Sequence, residues 1–178
     1  MKIKTIIAFL VLFLLVVMVS TGCTLIQNIR SLYIGQTDEE LAITAAYQNN
    51  FTLEDITGDK VSLSDFSTDV IVLNFWATWC PPCRQEIPDF VDVYNKYRDE
   101  GVQFIGVSDE GAAIIRDFAD QYGINYLLLV DRNSTIMSKW GIRAIPTTFI
   151  LNGNGQIIYK NVGMMSAVQL ESAIDDLL

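Results

Sequence analysis

The stretch Val70-Ile-Val-Leu-Asn-Phe-Trp-Ala-Thr-Trp-Cys-Pro-Pro-Cys83 constrains this chain more than any other. Val70 to Leu73 is an unbroken apolar run rich in β-branched residues, which predicts a buried strand, and two prolines directly after Cys80 suit the first turn of a helix. A thiol is thereby delivered to a helix N-terminus. Unpaired backbone N–H groups and the helix dipole favour a thiolate there, lowering a cysteine pKa from about 8.5 into the range of roughly 3.5–7.5. Cys80 is the expected attacking sulfur. Cys83 lies one helical turn further on, within reach of a mixed disulfide formed at Cys80.

Composition narrows what else the pair can do. A zinc site takes four ligands, usually Cys and His, and the chain has three cysteines and no histidine. The same lack removes Ser-His and Cys-His catalysis. A purely structural disulfide over so short a loop would remove little unfolded-state entropy. Met164 and Met165 raise a soft metal site, but adjacent methionines without histidine fit core and surface positions better. No metal is expected. The formal net charge of −9 argues against nucleic acid as a partner.

At 178 residues there is room for one ordinary domain and a leader. Lys2 and Lys4, the apolar run Ile6 to Val19 and the small residues before Cys23 have the layout of an export signal. Residues 1–22 are expected to be a signal peptide or membrane anchor. Gly22-Cys23 resembles a lipobox, with Cys23 lipidated as the new N-terminus, although Ser20 stands where leucine is usual. An uncleaved anchor extended by Leu25 and Ile26 is the alternative. Residues 23–45 read as a tether, with a short helix following Thr37-Asp-Glu-Glu40, and 46–178 as the folded domain.

Within that domain Phe51–Asp55 and Lys60–Leu63 predict a hairpin about Thr57-Gly-Asp59. The central strand follows, then a helix over Arg84–Arg98 with Ile87, Phe90, Val91 and Tyr94 facing inward and a kink at Pro88. Strand 102–107, helix 111–122, strand 126–130 and helix 134–140 come next. A hairpin over 147–161 and a last helix over 166–178 complete an α/β, three-layer fold with a mixed central sheet.

Phe75-Trp-Ala-Thr-Trp-Cys-Pro-Pro-Cys83 resembles the active site of the thioredoxin superfamily, and most of all its membrane-tethered TlpA/ResA-like thiol-disulfide oxidoreductases. The likeness extends to Phe51-Thr-Leu-Glu-Asp55, Val61-Ser-Leu-Ser-Asp-Phe66 and Ile145-Pro-Thr-Thr-Phe-Ile-Leu151. It implies a thioredoxin-like fold with an N-terminal β-hairpin and a helix-strand insertion over 111–130. It also implies a cis Pro146 against the cysteines, with Ile145 offering backbone groups to a substrate strand and Trp79 beside the groove. Asn74 stands where many thioredoxins place a buried Asp, and Glu86 resembles the glutamate associated with proton handling at the dithiol. A solvated helix charge is the plainer reading of Glu86.

The resemblance further implies a redox-active Cys80–Cys83 pair with no other cofactor, working outside the cytoplasm and held to the membrane. Expected partners are disulfide-bearing exported proteins, such as apocytochrome c or an exported methionine sulfoxide reductase, and a CcdA/DsbD-like membrane electron donor. A disulfide-forming oxidase and a non-catalytic binding lipoprotein are the rivals. A peroxiredoxin would want proline and Ser/Thr at the positions held by Leu73 and Ala77.

Overall fold

The structure, a computed structural model, describes residues 49–178. The expectations for 1–22, for the 23–45 tether, for Cys23 and for the start of the domain near residue 46 lie outside those residues.

Seven strands make one mixed sheet: β1 Thr52–Asp55, β2 Lys60–Ser62, β3 Val70–Phe75, β4 Val102–Ser108, β5 Leu127–Val130, β6 Thr147–Asn152 and β7 Ile157–Val162, in the order β2-β1-β5-β4-β3-β6-β7. The parallel part is β3-β4-β5, and β1, β2, β6 and β7 add antiparallel pairs at the two ends. Among the described residues four helices complete the fold: α1 Pro81–Tyr97, α2 Ala112–Tyr122, α3 Thr135–Lys139 and α4 Ala167–Asp175, with a short 3-10 turn at Leu63–Asp65.

Every residue of β3 is buried, because the strand is central and covered on both faces. Successive side chains point to opposite faces. Val70 and Val72 pack with residues of α1, α2 and α4, while Ile71, Leu73 and Phe75 pack with Ile136 and Met137 of α3. Helices therefore cover both faces, giving the three layers the apolar runs imply. The hairpin, the α2–β5 addition and the closing hairpin with its helix all stand where the sequence places them.

Helix α1 departs from its sequence-based outline in two ways. It starts at Pro81, immediately after the N-cap Cys80, and runs through Pro88 to Tyr97. Its buried side chains are Cys83, Glu86, Ile87, Phe90, Val93 and Tyr97, whereas Val91 and Tyr94 are half-buried at the margin. The inward face is rotated because a glutamate, counted as polar, belongs to it. Trp76 packs on the α1 side against Phe118, over Gly106, where an added Cβ would lie 2.8 Å from the indole Nε1 and 2.8 Å from Leu128 Cδ2. A glycine there lets the bulky ring sit flat at the base of the cysteine loop.

Candidate active site

Strand β3 ends at Phe75, and the loop Trp76–Trp79 carries the chain to the helix N-cap at Cys80. Pro81 and Pro82 need no backbone donor in the first helical turn, so they cost the helix nothing at that point. The Cys83 N–H lies 3.3 Å from Cys80 Sγ and donates to it. That is the orphan N–H of a helix start, and it strengthens when the sulfur carries negative charge. Cys80 and Cys83 are joined as a disulfide with Cα atoms 5.3 Å apart. Cys80 keeps 2% of its surface accessible and Cys83 none, so only Cys80 can be reached by a partner.

The opposing wall comes from the start of β6. Thr147 pairs with Phe75 across the β3–β6 ladder, which brings the residues just before it against the cysteine loop. The Ile145–Pro146 bond is cis. The Ile145 carbonyl oxygen lies 3.7 Å from Cys80 Sγ, placed to accept the thiol hydrogen when the pair is reduced. The Pro146 carbonyl accepts from the Gly163 N–H at 2.8 Å, tying the loop after β7 to the same wall. Trp79, 65% exposed, and Met164, 50% exposed, are large apolar side chains on these two loops.

Below the disulfide, Glu86 is 1% exposed, three residues past Cys83 and on the same buried face of α1. This replaces the reading of Glu86 as a solvated charge. Its Oε1 accepts from Asn74 Nδ2 at 3.0 Å and its Oε2 from the Met165 N–H at 3.0 Å. Asn74 Nδ2 also donates to Thr148 Oγ1 at 2.9 Å. Burial disfavours the carboxylate more than these two donors favour it, and the pKa rises to about 7. A carboxyl that titrates near neutrality beside a buried sulfur can take and return a proton there.

Cys80, Cys83, Glu86, Trp79, Ile145 and Pro146 thus meet in one place. The partners of Glu86 were not foreseen. One signal for Asn74 is its parity: it shares a face of β3 with Val70 and Val72, the side on which α1 lies. Leu73 and Ala77 are wholly buried apolar residues and bring no hydroxyl to Cys80.

A family model described as AhpC/TSA matches residues 45–160. The thiol-disulfide oxidoreductase ResA of Halalkalibacterium halodurans is 31% identical over 163 residues, which are 91% of this chain and 89% of that protein. The chain belongs to the AhpC/TSA family, on its ResA-like thiol-disulfide oxidoreductase side. ResA of Bacillus subtilis is 33% identical over 128 residues, 71% of this chain and 69% of that one. Among solved structures, StoA from Bacillus subtilis superposes with a TM-score of 0.60 at 28% identity, covering 69% of this chain and 94% of its own. A thioredoxin-family thiol:disulfide interchange protein from Chlorobium tepidum gives 0.64 at 27% identity, covering 72% and 92%. As in these ResA-like relatives, the activity is protein thiol-disulfide exchange, and its reactive groups in this chain are two sulfurs one helical turn apart.

Proposed function

We propose that this protein reduces disulfides in exported partner proteins, working outside the cytoplasm while held to the membrane and recharged by an integral-membrane dithiol donor of the CcdA/DsbD type. In the forward reaction the Cys80 thiolate attacks one sulfur of a client disulfide, forming a mixed disulfide and releasing one client thiolate. The Cys83 thiolate then attacks Cys80 Sγ. The Cys80–Cys83 bond forms, the second client thiolate leaves, and two electrons have passed to the client. Glu86 accepts the proton that Cys83 must lose. A donor dithiol reopens the disulfide by the same two exchanges in reverse. Apocytochrome c and an exported methionine sulfoxide reductase are the client classes this reading favours.

The observation that carries the reductive direction is the buried carboxylate of Glu86, one helical turn past the sealed Cys83. A thiolate stabilised at a helix N-terminus makes a dithiol oxidising, because the reduced form is held down in energy. A nearby carboxylate works the other way, disfavouring a second negative charge and raising the energy of the reduced, ionised pair. The Cys80–Cys83 couple should therefore equilibrate with glutathione or dithiothreitol buffers at a potential near thioredoxin's, about −270 mV. A value near the roughly −120 mV of a dedicated oxidase would reverse the assigned direction.

The export layout of the first 22 residues supports the location, and exported thiols lie beyond cytoplasmic reductases, hence the membrane donor. Mass spectrometry of membrane-extracted protein should find a diacylglycerol-modified Cys23 as the first residue. An intact Met1 end with unmodified Cys23 would put an uncleaved anchor in its place.

A further inference from the structure

The loop that presents Cys80 is held by a carboxylate contributed from another part of the chain. Ala77 to Cys80 form a tight turn closed by the Cys80 N–H donating to the Ala77 carbonyl at 3.2 Å. Thr78, in the middle of that turn, gives both of its donors to Glu110, the N–H to Oε2 at 2.6 Å and the hydroxyl to Oε1 at 2.7 Å. Glu110 is fixed in turn at the end of β4, where Ser108 Oγ lies 3.2 Å from Oε2 and accepts from the Glu110 N–H at 3.3 Å. Ser108 is wholly buried, so this anchor is rigid.

Trp79, the other middle residue of the turn, is 65% exposed, so its position follows the backbone of the turn. That backbone is pinned at Thr78. A carboxylate takes both donors through separate oxygens, and removing the whole side chain leaves both of them without it. Two bonds to an ionised acceptor are short and strong for their type. Disulfide exchange needs the attacking sulfur aligned with the client's S–S bond, and small misplacements of a reacting group are costly.

We propose that Glu110 is a positioning residue for disulfide exchange: by clamping both donors of Thr78 it fixes the turn that carries Trp79 and Cys80 and so sets how a protein disulfide is received. It touches no reacting atom. The proposal rests on the exchange activity of the Cys80–Cys83 pair, and the test separates the two. A protein client has to seat against the turn, whereas a small alkylating agent does not.

Full-length Glu110→Ala, Thr78→Val, Thr78→Ser and the Glu110→Ala/Thr78→Val double variant are compared in two assays. One is steady-state reduction of insulin with dithiothreitol as electron source; the other is alkylation of reduced Cys80 by iodoacetamide at a pH where the thiol is ionised. Glu110→Ala should raise KM for insulin roughly tenfold, while its alkylation rate stays within about twofold of the parent. Thr78→Val should lose activity in the same sense and Thr78→Ser, which keeps both donors, should retain it. The double variant should be no worse than Glu110→Ala alone, because the two residues form one interaction.

Parent-like KM in Glu110→Ala overturns the proposal, as do losses that multiply in the double variant. Parallel falls in insulin reduction, alkylation and thermal midpoint also overturn it, since they mark a general structural role. Should Glu110→Ala not fold, the contrast between Thr78→Val and Thr78→Ser decides the matter by the same two assays. If the parent protein itself fails to reduce insulin, the exchange activity is what has failed.

Discussion

Cys83→Ser is expected to abolish turnover and leave Cys80 covalently joined to its partners. The Cys80 sulfur remains the accessible one, at the N-cap of α1 with the backbone N–H of residue 83 directed at it, so the first attack survives. The second attack has lost its nucleophile, and the mixed disulfide waits for slower external thiols. Cys80→Ser removes the reachable sulfur of the pair, because Cys83 has no accessible surface. Both variants should lose insulin reduction by on the order of a thousandfold or more, as expected when a nucleophile that acts as part of a unit is removed. They part on non-reducing gels: Cys83→Ser should show adducts and Cys80→Ser none. Adducts carried by Cys80→Ser instead would mean that the helix N-terminus does not select the attacking sulfur.

The second large effect concerns Glu86 and pH. Its folded-state pKa of about 7 lies above the ordinary carboxylate value, so between roughly pH 4.5 and 7 the folded protein holds more protons than the unfolded chain. Stability from this group is greatest in acid and falls as pH rises toward 7, then levels off. The full change corresponds to about 3 kcal/mol, in urea titrations of the oxidised protein read at fixed pH. Glu86→Gln should flatten that slope. In the reduced protein the same substitution should remove the inflection near neutrality from the alkylation profile of Cys80. Parent and variant curves that coincide in both experiments would remove Glu86 from proton handling.

Much of this site can be read locally. The apolar run at Val70, the prolines after Cys80 and the helical spacing beyond them are adjacent in the chain, and each depends on backbone preferences that act over a few residues. Ile145-Pro146 and Trp79 are recognisable by resemblance; Trp79 adjoins Cys80 in the chain, and β6 pairing beside β3 explains physically why Ile145-Pro146 arrives at the cysteines. The polar network was not legible in the same way. Glu86 meets Asn74 from 12 residues away and Met165 from 79, and Thr78 meets Glu110 from 32. Such pairs are created by how a helix lies on a sheet, which no local pattern encodes. The inward face assigned to α1 slipped for a related reason. Polarity alone sends a glutamate outward, while here two donors from other elements make its burial tolerable.

The central claim is that the pair at Cys80 and Cys83 spends its working life as a reductant. The direct measurement is the thiol state of the two cysteines in growing cells, trapped by acid quenching and alkylation and resolved by mass shift. The account predicts that most of the protein carries two free thiols, and that loss of the membrane donor shifts it to the disulfide. A population that is mostly disulfide-bonded in otherwise unperturbed cells, with Cys80 adducts spread across many newly exported proteins, would contradict it.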